Sequence, residues 1–251
     1  MKVQASVKRN PAIFMMLLFV FLALPLPLFA ETAFKIVSTE ELKAMLAEGK
    51  PLTLIDSRSP QEYQEAHIKG AISIPEKELQ KNVALLPEDK SALLVIYCNG
   101  VKCGKSKRLA LQIEPLGYTN LQIYSEGIPV WEERMLPIVP GLEYGKKIDT
   151  RKLGATELKQ IIDAKKDDYV LVDVRDVAEF KEGHIPTAIN IPAETFASGA
   201  GALPKEKKII VYCNTGSRSY LAYRKLIGLS YTDIYQTLMA DWKDAGLAVE
   251  N

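Results

Sequence analysis

The chain of 251 residues has few of the residue types that build metal sites and disulfide frameworks, with three cysteines and two histidines. The cysteines are Cys98, Cys103 and Cys213, and no two of them form a C-x-x-C pair. The histidines, His67 and His184, lie in sequence contexts that offer no other metal ligands. An odd number of cysteines at this spacing does not make a disulfide framework. We therefore expect no metal site, and thiols that are kept for their reactivity.

The chain also lacks a strong charge of either sign and any low-complexity run. It contains 32 Lys and Arg against 31 Asp and Glu, a net charge of +1. Nucleic acids and anionic membrane surfaces are bound through concentrated positive charge. We therefore predict neither as a partner. With 47% hydrophobic and 25% charged residues, the composition is that of an ordinary globular protein. We expect no metal or organic cofactor.

Charge is absent from one long stretch near the N-terminus. The charged residues that precede this stretch are Lys2, Lys8 and Arg9. The uncharged run covers residues 12–28 and closes in Leu28-Phe29-Ala30 before Glu31. This charged, apolar and small-residue order is typical of a secretory signal peptide. We predict a signal peptide at residues 1–30 and a periplasmic or secreted protein, which has no membrane contact after cleavage. An uncleaved membrane anchor is the alternative, although Pro25 and Pro27 favour cleavage. Removing the three positive charges from 32 leaves 29 against 31 negative ones.

One sequence pattern occurs twice. LIDSRSPQEYQEAHIKGAISIP at residues 54–75 matches LVDVRDVAEFKEGHIPTAINIP at residues 171–192. Each copy is followed by an apolar run that ends in Tyr-Cys-Asn, at Cys98 and at Cys213. The two copies are offset by 117 residues at Asp56 and Asp173. Solenoid repeats have much shorter periods, of about 20–50 residues. The chain is therefore predicted to contain two similar domains, each of a usual size.

Strand and helix patterns alternate within each copy, which predicts an α/β fold. Capping boxes mark helix starts in both copies, at Ser38, Ser59 and Asp176. The runs at 93–97 and 209–212 are apolar on both faces, as the central strands of a parallel sheet are. We predict a mostly parallel sheet with helices on both faces in residues 36–137 and again in residues 151–251. The stretch 138–150, which contains Pro and Gly, is predicted to be the linker.

A cysteine at the end of a central strand has the clearest chemical consequence. Ligands of parallel sheets bind beyond the carboxyl ends of the strands. The loop from Cys213 to Ser219 lies there and leads into a helix, and Gly216 allows its backbone to curl. Inward-facing N–H groups and the helix start lower the pKa of a thiol and hold an anion. The residues predicted to bind an anionic substrate are Asn214, Thr215, Gly216, Ser217 and Arg218, whose guanidinium adds a fixed charge.

Three motifs follow one another in each copy: a strand ending in Asp-x-Arg, a Glu-[Tyr/Phe]-x-x-x-His-Ile segment and a cysteine loop, Cys-x-x-Gly-x-Arg-Ser in the second copy. Together they resemble the rhodanese domains, which are sulfurtransferases. The resemblance implies that the Cys213 thiolate takes the outer sulfur of a donor such as thiosulfate, releases sulfite, and passes the sulfur from a persulfide to a thiol or to cyanide. Related phosphatases share the fold but have a loop one residue longer, and the Cys213 loop matches the shorter form.

The first loop, residues 98–106, departs from this pattern, since Cys103 occupies the place that Arg218 has in the second copy. Cys98 is predicted to be a second persulfide carrier. The residues predicted to bind substrate beside it are Asn99, Gly100 and Lys102. Cys103 is a possible resolving thiol, which would leave a disulfide with Cys98. The alternative is that Cys103 only fills the start of the helix.

Other matched residues are predicted to be structural. The Asp-x-Arg pairs that begin at Asp56 and Asp173 are expected to brace the following loop, and His67 and His184 to support the fold. Trp131 and Trp242 are expected to pack in short closing helices.

Two other classes of function remain open from the sequence. One is an exported thiol–disulfide redox protein that uses Cys98 and Cys103, and the other is a non-catalytic binding module. Reactivity of Cys213 towards sulfur donors would separate the enzyme from both.

Overall fold

The computed structural model describes residue 1 and residues 34–251, and the second of these ranges forms one unit, Phe34–Asn251. The predicted signal segment, residues 1–30, lies outside the described residues except for Met1. Among the helices that the structure describes, none is long and apolar enough to cross a membrane.

The first half of the described chain alternates strands and helices. Its strands are β1 (Lys35–Val37), β2 (Thr53–Asp56), β3 (Ala66–Ile68), β4 (Ile72–Ser73), β5 (Leu94–Tyr97), β6 (Leu121–Tyr124) and β7 (Ile138–Pro140). Its α-helices are α1 (Thr39–Ala47), α2 (Pro60–Glu65), α3 (Leu79–Asn82), α4 (Lys105–Ile113) and α5 (Gly127–Glu133). Short 3₁₀ turns occur at Glu76–Glu78, Val83–Leu85 and Glu114–Leu116.

The second half repeats this order. Its strands are β8 (Tyr169–Asp173), β9 (Ile189–Asn190), β10 (Lys208–Cys213) and β11 (Ile234–Leu238). Its α-helices are α6 (Ala155–Asp163), α7 (Val177–Glu182), α8 (Phe196–Ala200), α9 (Ser217–Gly228) and α10 (Met239–Asp244), with a 3₁₀ turn at Ala193–Thr195. The predicted capping boxes are confirmed at the starts of α1, α2 and α7.

Each half is built on a parallel sheet. The first sheet has the order β1-β6-β5-β2-β4 and the second has the order β11-β10-β8-β9, and all the neighbours in both are parallel. Strands β3 and β7 form a separate antiparallel pair. The segment predicted as a linker, 138–150, therefore begins with a strand that pairs with the first half.

The second half keeps reduced versions of two pairings. Lys152 bridges Gln236 at the edge where β1 pairs with β6 in the first half. His184 bridges Glu250 where β3 pairs with β7. The two halves thus share one topology, with the edge contacts of the second shortened to single bridges.

Helices cover both faces of each sheet, and separate apolar clusters fill the spaces between. Two clusters flank the first sheet and two flank the second. All four residues of β5 are buried, as are all residues of β10 except Lys208. Full burial of one Val, Leu or Ile side chain is worth about 1.5–3 kcal/mol. The prediction of two α/β domains with mostly parallel sheets and helices on both faces is confirmed.

Glu133 at the end of α5 joins the two halves. Its carboxylate lies 2.7 Å from Lys225 Nζ of α9 and is 4% exposed. It also accepts hydrogen bonds from the amides of Ala197 (2.6 Å) and Ser198 (3.1 Å) at the start of α8. A residue of the first half therefore caps a helix of the second.

Candidate active site

Both cysteine loops lie at the carboxyl edge of a central strand. Cys213 is the last residue of β10, and Cys98 directly follows β5. Each loop then turns into a helix through a glycine with positive φ, Gly104 (72°) before α4 and Gly216 (109°) before α9. The three cysteines are free thiols.

The sulfur of Cys213 sits in a cradle of hydrogen-bond donors. The amides of Gly216 and Ser219 donate to Sγ at 3.2 and 3.4 Å. The hydroxyl of Ser219 lies 3.4 Å from the same sulfur. A curled backbone at a helix start was predicted here, and the structure places its N–H groups on the sulfur itself.

These donors change the acidity of the thiol. Burial raises the pKa of Cys213, but the hydrogen bonds from the Ser219 hydroxyl and from the amides of Ser219, Gly216 and Thr215 outweigh it. The pKa therefore lies below its ordinary value of 9.0. Lowered thiol pKa values are characteristic of nucleophilic cysteines.

Gln236 supports this cradle from below, on β11. It is 1% exposed, and its Nε2 donates to Ser219 Oγ at 2.7 Å and to the carbonyl of Gly216 at 2.8 Å. Its Oε1 accepts from Thr150 (2.9 Å) and from Lys152 (2.5 Å). Ser219 Oγ thus accepts from Gln236, and its own proton is shared between the Gly216 carbonyl (3.2 Å) and the sulfur of Cys213 (3.4 Å).

The side chain of Arg218 is held by carboxylates. Its guanidinium contacts Glu179 through both terminal nitrogens, at 2.5 and 2.9 Å, and Asp176 at 3.5 Å. Hydrogen bonds from Arg218 lower the pKa of Glu179 to about 2. The guanidinium that the sequence assigned to substrate thus has a carboxylate partner, and the groups that contact Sγ are the Ser219 hydroxyl and backbone amides.

Asn214 is also held in place, since it lies between Arg175 NH1 (3.4 Å) and Glu179 Oε1 (2.8 Å). Thr215 and Ser217 are exposed at the rim of the loop.

The Asp-x-Arg pairs brace these loops. Asp56 is fully buried, and Arg58 contacts it at 2.7 Å and donates to the Ala66 carbonyl at 2.5 Å. Asp173 and Arg175 repeat the pair at 2.6 Å, with Arg175 donating to the carbonyl of Gly183 at 2.7 Å. These contacts match the predicted bracing role.

Each histidine packs on the aromatic ring four residues before it. His67 stacks on Tyr63 with 3.8 Å between ring centroids, and His184 on Phe180 with 3.9 Å. Their Nδ1 atoms bond to the backbone carbonyls of those two residues. This geometry agrees with a structural role for both histidines.

The first loop corrects the alignment made from sequence. Lys105 contacts Glu62 at 2.9 Å, as Arg218 contacts the matched Glu179. Ser106 lies 3.4 Å from Cys98 Sγ, as Ser219 does from Cys213. The counterpart of Arg218 is therefore Lys105 and not Cys103, because the first loop has two additional residues before the matched serine.

Those additional residues bring a second thiol to Cys98. The Gly100 carbonyl accepts from the Cys98 thiol at 3.8 Å and from the Cys103 amide at 2.9 Å, which places the two cysteines side by side. Cys98 is 1% exposed, whereas Cys103 is partly exposed. The adjacent Cys98 thiol lowers the pKa of Cys103, opposed by burial and helped by the amides of Asn99 and Lys105. The adjacent Cys103 thiol, together with burial, raises the pKa of Cys98.

The residues predicted to bind substrate in the first loop reach the second half instead. Asn99 donates to Ser230 Oγ at 3.1 Å and also contacts Glu62. Lys102 Nζ donates to the carbonyls of Ala202 (3.1 Å) and Leu203 (2.5 Å). The second half thus forms one wall of the first loop.

Gly100 is buried in this loop beside Gly127, the first residue of α5. A Cβ at Gly127 would lie 2.3 Å from the Cys98 carbonyl oxygen and 2.5 Å from the Gly100 nitrogen. Only glycine fits this close approach, and the φ of 72° also favours glycine. The turn at Glu126-Gly127 is therefore part of the first loop's support.

A cleft of about 280 Å³ opens beside the first loop. Its lining comes from residues 57–61 and 75–78 and includes Arg58 and Lys105. Within residues 34–251, no group of three or more His, Cys, Asp or Glu side chains is placed to hold a metal ion.

Sequence reasoning missed three groups that contact the loops. Glu62 and Glu179 anchor the loop cations, and Ser106 and Ser219 contact the sulfurs. Their equivalent places in the two copies were a signal that could have identified them. For Gln236, the available signal was a polar side chain within a strand.

Comparison with known protein families shows that both copies of the repeated pattern match one family model. The model of the family "Rhodanese-like domain" matches the chain twice, at residues 38–134 and 154–244.

Curated relatives match shorter stretches. The thiosulfate sulfurtransferase PspE of Escherichia coli is 38% identical over 69 residues, which cover 27% of this chain and 64% of that protein. A sulfurtransferase of Allochromatium vinosum is 35% identical over 65 residues, covering 26% of this chain and 61% of that protein. The matched stretch thus spans less than two thirds of either relative.

Among solved structures, SseA of Escherichia coli, a 3-mercaptopyruvate sulfotransferase, is similar at 20% identity. The match has a TM-score of 0.38 and covers 83% of this chain and 99% of that one.

Proposed function

Since the chain belongs to the rhodanese-like domain family, which it matches twice, we propose that it is a sulfurtransferase that carries sulfane sulfur as a persulfide on Cys213. The observation that carries this proposal is the set of donors on the Cys213 sulfur. They stabilise a thiolate, which is the form that attacks sulfur.

The reaction has two steps. The Cys213 thiolate attacks the outer sulfur of thiosulfate, a bond forms between the two sulfurs, and the bond to the sulfonate breaks with its electron pair, releasing sulfite. The persulfide anion then lies where the cradle amides of Gly216 and Ser219 donate. An acceptor thiolate or cyanide attacks the outer sulfur, and Cys213 leaves as a thiolate. No cofactor takes part in either step.

Thiosulfate as donor, and a thiol or cyanide as acceptor, are the finer parts of this proposal. A thiosulfate sulfurtransferase among the relatives supports the donor. Exposure of Thr215 and Ser217 at the rim supports access for an acceptor thiol. The charged, apolar and small-residue order of residues 1–30 supports export to the periplasm or secretion.

Intact mass spectrometry after thiosulfate treatment tests the proposal. The Cys98→Ser/Cys103→Ser variant keeps only Cys213, and we expect it to gain one sulfur atom per chain and to release an equal amount of sulfite. The Cys213→Ser change added to this variant should abolish both. If the variant that keeps Cys213 takes up no sulfur while reduced and folded, the sulfurtransferase assignment to Cys213 is wrong.

A further inference from the structure

The first loop contains a pair of thiols with unequal access to solvent. Cys103 is partly exposed, whereas Cys98 lies beneath the loop with 1% exposure. The backbone amide of Cys103 donates to the Gly100 carbonyl at 2.9 Å, which closes a turn and brings Cys103 back towards Cys98. The same carbonyl accepts from the Cys98 thiol at 3.8 Å, so the two cysteines lie side by side and their charges interact. A donor that arrives from solvent therefore meets Cys103 first.

Cationic groups surround the same pair. Lys105 stabilises negative charge on Cys103, and the backbone amides of Asn99 and Lys105 donate to its sulfur. Lys205, from the second half, and Arg108 also interact with charge on this pair. Lys105 is also paired with Glu62 at 2.9 Å and Arg108 with Glu76 at 3.0 Å, so both cations are shared with carboxylates. Positive charge near a thiol favours its anionic form.

The neighbours of Cys98 are of a different kind. Its sulfur lies 3.4 Å from the hydroxyl of Ser106 and 3.8 Å from the carbonyl oxygen of Gly100, which accepts from a thiol. A carbonyl oxygen stabilises the protonated form of Cys98. The loop thus holds the more acidic thiol, Cys103, nearer the surface and the less acidic one, Cys98, beneath it.

From this arrangement we propose that the first domain reduces sulfane sulfur to hydrogen sulfide, with Cys103 as the entry thiol and Cys98 as the thiol that displaces the sulfur. The proposal rests on the sulfane-donor chemistry of the proposed function and assigns a different product to the first domain. It also reverses the order of the two thiols expected from the sequence.

The steps balance in atoms and electrons. The Cys103 thiolate attacks the outer sulfur of thiosulfate, and sulfite leaves, which gives Cys103–S–S⁻. The Cys98 thiol then attacks the inner sulfur of Cys103, a Cys98–Cys103 disulfide forms, and the outer sulfur leaves with the electron pair and the proton of Cys98 as HS⁻. The two thiols are oxidised by two electrons and the sulfane sulfur is reduced by two. An external dithiol restores the pair by thiol–disulfide exchange.

The second domain differs at the corresponding place. Cys213 contacts Ser219, whereas Cys98 contacts both the matched Ser106 and Cys103. A hydroxyl donates a hydrogen bond to a persulfide but does not displace its sulfur. One domain therefore keeps sulfur for transfer, and the other releases it as sulfide.

The Cys213→Ser background isolates the first domain for a test. The reduced variant is treated with thiosulfate, and sulfide, sulfite and intact mass are measured. We expect one sulfide per chain and a product lighter by two hydrogens. With Cys98→Ser added, we expect one retained sulfur atom on Cys103 and no sulfide. With Cys103→Ser added, we expect no uptake.

Three results would overturn the proposal: sulfur retained on Cys98 in the Cys213→Ser/Cys103→Ser variant, no uptake by the Cys213→Ser/Cys98→Ser variant, or disulfide formation without sulfide. The Cys98→Ser and Cys103→Ser substitutions are also made in chains that keep Cys213. Sulfur uptake and thermal unfolding of those chains show whether each variant is folded. If the Cys98→Ser/Cys103→Ser variant takes up sulfur and the Cys213→Ser variant does not react, sulfur transfer by Cys213 is supported. That result rejects only the proposal for the first domain. Failure of both variants would reject both.

Discussion

At the scale of single residues, the two cysteines that follow matched strands have different hydrogen-bond partners. Cys213 accepts from two amides, whereas Cys98 is paired with a second thiol. The difference comes from two additional residues in the first loop, and the strands before it are alike. Reactivity in this chain is therefore set by loop length as much as by the identity of the nucleophile.

Substitution of Gln236 by leucine is expected to raise the pKa of Cys213. The change removes the donor to Ser219 Oγ and to the Gly216 carbonyl, so the serine proton turns to that carbonyl and away from the Cys213 sulfur. Loss of a partner for a buried polar group costs about 1–3 kcal/mol. A cost of about 1.4 kcal/mol on the thiolate form lowers the acid dissociation constant of the thiol about tenfold. The midpoint of the iodoacetamide rate against pH should therefore move upwards, with slower alkylation at pH 7.

The matched control for this change is Gln122→Leu, on β6 of the first half. It makes the same replacement in a parallel strand without contact to Ser219, and it should leave the Cys213 profile unchanged. Equal profiles for Gln236→Leu and the unmodified chain would mean that Gln236 only packs. Rescue of the profile by Gln236→Asn would in turn support a role for the side-chain amide.

At the scale of elements, much of the fold was predictable from the sequence. The apolar runs at 93–97 and 209–212 were predicted to be central strands, and they are β5 (Leu94–Tyr97) and β10 (Lys208–Cys213). Capping boxes and fully apolar runs are local signals, because the side chains that satisfy a helix start lie within three residues of it. These signals placed both cysteines at strand ends.

The detail of the first loop was not predictable in the same way. Counting residues from Cys98 placed Cys103 opposite Arg218, whereas the ion pair between Lys105 and Glu62 shows which cation is equivalent. That contact joins residues 43 positions apart. A long-range pair of this kind leaves no periodic trace in the sequence.

The start of α5 provides a test at the element scale. Gly127→Ala should destabilise the chain and disturb the Cys98 loop, because the added Cβ meets backbone atoms of that loop. Overpacking of this kind costs about 1–3 kcal/mol. We expect a lower midpoint of thermal unfolding and altered alkylation of Cys103. Gly154→Ala is the control, since a Cβ there meets nothing within 4 Å, and comparable losses in both variants would contradict the steric account.

At the scale of the whole molecule, the contacts between the halves involve charged side chains. Hydrophobic periodicity in the sequence does not show which charged side chains lie at an interface. Glu133 ends α5 with a charged side chain, yet that side chain is only 4% exposed and pairs with Lys225. Which surface faces the other half depends on the packing of both. The sequence therefore predicted two domains without predicting how the first loop acquires a wall from the second.

Removal of the Glu133 carboxylate is expected to destabilise the chain strongly. Glu133→Ala leaves Lys225 with the Ala193 carbonyl and no carboxylate, and it uncaps α8. Breaking a buried ion pair costs about 3–5 kcal/mol. Urea unfolding measures this loss. The control is Glu143→Ala, which breaks an exposed pair with Lys146 and should cost about 0–1 kcal/mol. An equally small loss at Glu133 would show that this contact does not stabilise the protein.

The reach of Asn99 and Lys102 across to Ser230 and the carbonyls of residues 202–203 limits how far this molecule can be divided. A fragment cut after the first half would leave the amide of Asn99 and the amine of Lys102 without these acceptors. Chimeras that exchange one half with a homologous chain would need to exchange these partner positions together. The two halves look like interchangeable modules in the sequence, but in engineering they have to be handled as one part.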